Sequence, residues 1–303
     1  MIKKTFYNLY IDYAYKKIIG NDFANQPSIE NHNSKDFFND VILLKKNGIL
    51  QIDDFKVNHG LIKELEKGLD DKIKLYNFDK NPVANFSEVN SNDSISKIIL
   101  SDVKINFIIK EYLGKNARLD IITLSVTSDN SQSSIVSEKW HYDNVGKRLK
   151  LFYYLNDNEN ITTDYVLKTN NFFHKYYSTE KSRRSDKFIQ KYKNEINSFF
   201  PQIGKIIIFD TNGFHRGNYK ENKQKISMEN INKISFRKML KFEFSNSVKS
   251  DLFFGKSNSI GIRGTFFSKD FDFQSCPLID QKYLCDIGNF YYYDKTHKVL
   301  YNS

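Results

Sequence analysis

Thiols, prolines and long apolar runs are all scarce in this chain. Cysteine occurs twice in 303 residues, as Cys276 and Cys285. Neither belongs to a CxxC pair, so a thiolate zinc site is excluded, and two free thiols suit a reducing, cytoplasmic setting. Only four prolines occur, but abundant Asn, Asp and Ser supply turn chemistry instead. No apolar stretch reaches the ~18 residues of a membrane span, and the basic start Met1-Ile2-Lys3-Lys4 leads into no secretory apolar core. Neither GxxxxGK followed by Ser or Thr nor GxGxxG is present, which removes the P-loop and dinucleotide-binding readings. There is no internal repeat and no low-complexity linker.

What is present is a globular composition, with 40% hydrophobic and 15% aromatic residues. The formal charge is +10 and the pI is about 9.2. A basic surface attracts nucleic acid, membrane phosphates or an anionic small substrate. Here Lys, Asn, Ile and Tyr are enriched throughout, which marks a general compositional bias more than a patch. No zinc-finger, homeodomain or RNP pattern occurs, so nucleic acid is not an expected partner.

The order of elements favours helices first and strands later, an α+β or mainly β fold with helical support rather than a βαβ layout. Val41 to Phe55 reads as a short helix stopped at Gly48, then a strand over Ile49 to Ile52. Leu61 to Lys74 has helical spacing, and a further helix is expected over Ile95 to Leu113 with Gly114 as its stop. From Arg118 the texture becomes strand-like: Leu119 to Val126, Arg148 to Leu155, Lys205 to Phe209 and Arg237 to Phe244. Phe188 to Phe200 reads as helix, and the tail after Ser245 has no clear period. A single domain over 1–303 is expected, with 1–117 as helical support and first strand, 118–245 as the core and 246–303 as an extension.

Chemistry concentrates in Trp140-His141-Tyr142-Asp143, which precedes a strand. Seventy-two residues after Asp143 (215 − 143) comes Gly213-Phe214-His215-Arg216-Gly217, just beyond the buried strand Lys205 to Phe209. Two histidines and one carboxylate on one face of an octahedral metal leave three positions open, two for a chelating keto acid and one for O2; that suits an Fe(II) oxygenase. His141 and Asp143 are two apart and so share a side of an extended chain. Structural histidines are the competing reading of the same residues.

WHYDNVGKRLKLFYYLND, then GKIIIFDTNGFHRG, then FRKMLKFEF, resemble the Fe(II)/2-oxoglutarate-dependent dioxygenases of the phytanoyl-CoA dioxygenase type. The resemblance spans about Arg118 to Phe244, with a weaker echo at Gly48 to Phe55. It implies a double-stranded β-helix, the jelly-roll or cupin-like fold. It implies that His141, Asp143 and His215 bind Fe(II), and that a later basic residue pairs with the far carboxylate of 2-oxoglutarate. Arg237 takes that role, although it lies 22 residues (237 − 215) past the distal histidine, after a polar insert over Asn218 to Lys233. Arg216 is its rival; adjacent strand residues face opposite ways, which favours Arg237. Tyr153 is expected as a wall of the same pocket, with core packing as the alternative. The implied reaction is hydroxylation of a small or conjugated metabolite, in which O2 is consumed and succinate and CO2 are released. A carboxylate at position 143 argues against halogenation. The competing functions are a non-catalytic β-helix binding protein and a cupin-like iron enzyme that needs no 2-oxoglutarate.

Relatives carry a Gly-rich element where this chain has DYVLKTNNFFH, so its substrate mouth is expected to differ. His32, His59 and His297 read as surface residues and His174 as a loop residue. The run KSRRSDKFIQKYK is a solvated helix face or a site that steers a phosphate-bearing substrate. Trp140 is expected to pack beside the ligands. Oligomeric state is not legible in the sequence.

Overall fold

A computed structural model describes residues 34–53, 55–78, 82–86, 93–114, 117–128, 138–143, 148–170, 183–219, 235–246 and 264–293. His32, His174 and His297 fall outside these, as do residues 220–233 of the polar insert. His59 is exposed, as expected.

Helix α1 (Ser34–Asn47) ends at Gly48, whose φ of +81° reverses the chain into strand β1 (Ile49–Ile52). Helix α2 (His59–Leu75) is capped by the Asn58 side chain and buries Ile62, Leu65 and Leu69, the stripe read from the sequence. Strand β2 (Val83–Phe86) follows. The helix expected over Ile95 to Leu113 is two helices, α3 (Asp93–Ser101) and α4 (Val103–Leu113). Asp102 breaks them apart: its backbone is extended and its carboxylate accepts from Ile105 N at 2.8 Å. Asn106 seals the joint, donating from Nδ2 to Leu100 O and Asp102 O at 2.7 Å each.

The major sheet has the order β1-β7-β4-β9-β3-β2 and is antiparallel throughout. Its remaining members are β3 (Ala117–Ser128), β4 (Arg148–Tyr154), β7 (Ile206–Asp210) and β9 (Phe236–Asn246). Facing it is a smaller antiparallel sheet, β6-β5-β8, made of β5 (Ile161–Val166), β6 (Ile196–Phe199) and β8 (His215–Tyr219). This is the expected double-stranded β-helix, buttressed by N-terminal helices. The helix expected over Phe188 to Phe200 shrinks to α5 (Asp186–Ile189) and an irregular turn, because Ile196 to Phe199 pair as an edge strand beside β5. The tail folds into a third sheet of β10 (Thr265–Ser268), β11 (Leu284–Asp286) and β12 (Phe290–Tyr293). It docks on β3: Tyr293 donates to Leu119 O at 2.6 Å, and Thr265 Oγ1 accepts from Ile122 N at 2.8 Å.

The pleat divides the core. Leu149, Leu151, Tyr153, Ile206, Ile208, Leu240 and Phe242 face the helices. Phe152, Tyr154, Ile207, Phe209 and Met239 face the smaller sheet and pack on Tyr165. Since Asp102 is the cap that lets α4 start afresh, Asp102→Ala is expected to cost about 1 kcal/mol of stability, read as a lowered denaturant midpoint with unchanged slope.

Candidate metal centre

His215 opens β8 immediately after a turn that Asp210 organises. Asn212 N donates to Asp210 Oδ1 at 2.8 Å, and Gly213 N donates to Asp210 O at 3.1 Å. The other oxygen, Oδ2, accepts from Tyr112 Oη of α4 at 2.7 Å, tying the turn to the helical layer. Tyr165 Oη donates to Asp210 O at 3.0 Å, and its ring stacks on His215 at 6.5 Å and 15°. Gly213 lets Tyr165 approach closely, because an added Cβ would meet the Tyr165 hydroxyl and the ring would have to shift.

The HxD segment is stitched to this turn through backbone. His141 N donates to His215 O at 3.0 Å, His215 N donates to His141 O at 2.8 Å, and Asp143 N donates to Thr211 O at 2.8 Å. The two imidazoles lie 4.4 Å apart between centroids. Each Nδ1 meets a carbonyl, His141 that of Lys139 at 2.7 Å and His215 that of Gly213 at 2.9 Å. A carbonyl only accepts, so each Nδ1 carries the proton and each Nε2 offers its lone pair. One ligand atom from each of His141, Asp143 and His215 lies within 4.8 Å of the other two.

The electrostatics suit a divalent cation. Burial pushes the His215 imidazole down to about 3, with the neighbouring His141 adding to the effect, and burial lowers His141 as well. Burial alone would raise Asp143. The Lys150 ammonium outweighs it, and the carboxyl stays well below the usual carboxylate range. Two neutral imidazoles and an ionised carboxylate are therefore the resting donor set.

The arginines separate clearly. Arg237 is buried, and among the described residues its guanidinium meets only neutral oxygens: Thr162 O at 3.4 Å, Thr163 Oγ1 at 3.3 Å and Thr127 Oγ1 at 3.3 Å. Its Nε has no partner among the described residues. Arg216 is committed elsewhere, to Asp164 at 3.2 Å, to Asp186 at 3.0 Å and across the Trp140 ring at 4.4 Å. Trp140 packs beside the ligands as expected, donating Nε1 to Asp186 Oδ1 at 3.0 Å.

Tyr153 is not brought to the site. It lies on the helix-facing side of β4, edge-on to Phe55, with its hydroxyl pushed up to about 12 by burial. A one-residue step along a strand reverses the face, and Tyr154 is the aromatic on the inner side, 3.2 Å from Thr163 Oγ1. The sequence reading also missed Lys150, whose Nζ lies 2.6 Å from Asp143 Oδ2. Its signal was present: Arg148 and Lys150 are charges two apart within the otherwise apolar β4.

No family model matches the chain, and no curated protein matches it. Solved structures do. A crystal structure of the epimerase SnoN in complex with Fe3+, alpha-ketoglutarate and nogalamycin RO matches with a TM-score of 0.51 at 7% identity, over 71% of this chain and 85% of that one. A second SnoN structure, described as a non-haem alpha-ketoglutarate-dependent epimerase from nogalamycin biosynthesis, matches with a TM-score of 0.50 at 8% identity, over 71% and 84%. HygX from Streptomyces hygroscopicus with nickel and 2-oxoglutarate bound gives a TM-score of 0.46 at 10% identity, over 68% and 86%. At these identities the likeness to the two SnoN structures establishes the double-stranded β-helix.

Gly213→Ala is expected to displace Tyr165 and cost about 1–3 kcal/mol by overpacking, read by thermal unfolding. Tyr165→Phe, which loses one hydrogen bond but keeps the ring, is expected to cost less.

Proposed function

We propose that this protein is an Fe(II)- and 2-oxoglutarate-dependent oxygenase that hydroxylates a small metabolite. The observation that carries the reading is one constellation in which His215 is buried and His141 and Asp143 are half-buried. Two neutral imidazoles and one carboxylate converge within 4.8 Å, and a buried arginine without an acidic partner among the described residues lies on β9 of the facing sheet.

The donor set fits the metal. Two nitrogens and one oxygen, with neutral rings and an ionised carboxylate, are the ligands that leave open positions on non-haem Fe(II). The unpartnered Nε of Arg237 fits the co-substrate, since a buried guanidinium facing neutral oxygens is incomplete until an anion arrives. His141, Asp143 and His215 would hold the metal, and Arg237, with Thr127 and Thr163 around it, would take the far carboxylate of 2-oxoglutarate. Bound together, iron and the keto acid supply O2-dependent oxidation, with succinate and CO2 as the keto acid's products. The protein's own task is orientation and exclusion of water. Phe152, Tyr154, Ile207, Phe209 and Met239 form an apolar wall between the sheets. SnoN is described as an epimerase, so the same fold also serves a reaction that does not add oxygen to its substrate. Hydroxylation by this chain, a phytanoyl-CoA dioxygenase-like ancestry and a cytoplasmic setting belong to this proposal. So does an anionic substrate, which the net charge of +10 supports.

The test is an anaerobic titration of the metal-free protein with Fe(II) and 2-oxoglutarate, following the weak visible charge-transfer band of the chelate. The band is expected in the wild type and absent in His141→Ala. Arg237→Ala is expected to weaken keto-acid binding roughly 10- to 100-fold, the loss of hydrogen bonds between charged groups. Arg216→Gln is expected to leave it unchanged. Iron binding without the band at saturating keto acid would instead select a cupin-like iron enzyme that needs no 2-oxoglutarate. A band without succinate release on exposure to O2 and candidate substrates would select a binding protein.

A further inference from the structure

Asp143 divides its two carboxylate oxygens. Oδ1 faces the imidazoles, 3.8 Å from His141 Nε2 and 3.9 Å from His215 Nε2. Oδ2 is turned away from them and accepts a 2.6 Å hydrogen bond from Lys150 Nζ. Lys150 does not reach it as a free side chain. It stands opposite Glu243 in the β4–β9 register, with Nζ 3.8 Å from Glu243 Oε1. Glu243 Oε2 is held by Arg148 Nη2 at 2.9 Å, and the same nitrogen lies 3.5 Å from Asp120 Oδ2. Asp120 sits at the one register shift between β3 and β9, and its Oδ1 accepts from Ser245 Oγ at 2.7 Å. Anion and cation therefore alternate from Asp143 through Lys150, Glu243 and Arg148 to Asp120, crossing β4, β9 and β3. Lys241 also approaches Glu243 Oε1, at 3.7 Å. With cations beside it at Arg148 and Lys241, the Lys150 ammonium is steered between the two carboxylates and nowhere else.

We propose that Lys150 is a positioning residue that restricts Asp143 to one-oxygen ligation of the metal, an inference that rests on the metal-binding reading above. The consequence is a count of coordination positions. Two imidazoles and one carboxylate oxygen leave three of six positions on an octahedral metal. A carboxylate that swung round to offer both oxygens would leave two, both needed by a chelating keto acid, with none for O2. Lys150 holds the third position open by occupying Oδ2. Its charge also acts on the metal directly. Removing a partner behind a ligand usually weakens metal binding, but here the partner is a cation close to the site, and its removal relieves repulsion of a dication. Losing the same charge weakens the attraction for an anionic keto acid, so the effect on the keto acid is opposite in sign to the effect on the metal.

The experiment titrates Co(II) into the metal-free protein, followed by d–d absorption and calorimetry, and then titrates 2-oxoglutarate into the Co(II)-loaded protein. Lys150→Met is expected to bind Co(II) at least as tightly as the wild type, with a shifted d–d spectrum from the altered coordination. Its 2-oxoglutarate affinity is expected to fall roughly tenfold. Lys150→Arg keeps the cation and is expected to restore both. The double variant Lys150→Met/Glu243→Gln removes one cation and one anion, so the charges left in the network stay balanced while Asp143 Oδ2 is freed; it is expected to shift the d–d spectrum and lower the keto-acid affinity as Lys150→Met does, and it carries the test if Lys150→Met does not fold. A wild-type spectrum and wild-type keto-acid affinity in these variants would overturn the role of Lys150 while leaving the metal reading intact, and so would loss of Co(II) binding by a folded Lys150→Met. A wild-type protein that takes up no Co(II) would overturn the metal reading itself.

Discussion

The candidate centre hangs on one reciprocal backbone pairing. His141 and His215 exchange both of their N–H···O bonds, at 3.0 and 2.8 Å, and so behave as one rung of an antiparallel ladder. The partners are remote in sequence, so closing the loop between them carries an entropic cost that neither segment can offset alone. Pairing of β5 with β8 offsets part of it, since Tyr165 is the register partner of His215 on the other side. Asp210 and Tyr112 then lock the intervening turn to the helical layer. Because the rung is made of main-chain groups, it does not depend on the imidazoles. An imidazole can be removed and the strands still meet, which makes these side chains candidates for chemistry and not for architecture.

Beside that rung lies an unusual concentration of charge for the inside of a β-fold. Arg148, Lys150 and Lys241 stand among Asp120, Asp143 and Glu243, and every one of them is within 4.0 Å of an opposite charge. Buried ion pairs are weak stabilisers, since desolvation consumes most of the attraction. Three cations and three anions balance here, so the cluster adds no net charge. Arg237 is outside this balance, surrounded by threonine hydroxyls and a carbonyl. Entry of a divalent cation at the histidines would leave the interior positive at two places, the metal and Arg237. A dicarboxylate that spans them answers both, which is a physical reason for a keto acid with a second carboxylate over a simple monoacid.

Much of the core was legible in the sequence because its signals are local. The Gly48 stop, the β3, β4, β7 and β9 strands and the stripe of α2 all follow from period and punctuation within a dozen residues. The HxD pair and the Gly-Phe-His after a buried strand were legible for the same reason. What failed was whatever depended on neighbours distant in sequence. Ile196 to Phe199 form a strand only because β5 has an open edge there. The break at Asp102 was hidden by an apolar period that runs straight through it. Tyr153 was misplaced because Leu151 to Leu155 is apolar on both faces, and a strand buried on both sides carries no alternation to read. The charges at Arg148 and Lys150 mark the even-numbered positions as the inner face, and from them Tyr154 follows.

The same pleat gives Arg216 a different task from that of a ligand-binding arginine. It follows His215 directly and so projects to the other face of β8, where Asp164 of β5 and Asp186 of α5 receive its guanidinium. That guanidinium also covers the ring of Trp140, the residue just before His141. The neighbour of one ligand thus clasps the neighbour of the other. Trp140 closes the loop by donating to the same Asp186 carboxylate oxygen that Arg216 uses. Main-chain bonds set the register of the two histidines, and this outer clasp of cation, indole and carboxylate limits how far the two segments can twist apart. Arg216 is thus held by two carboxylates, from Asp164 and Asp186, whereas Arg237 on β9 meets no acid among the described residues.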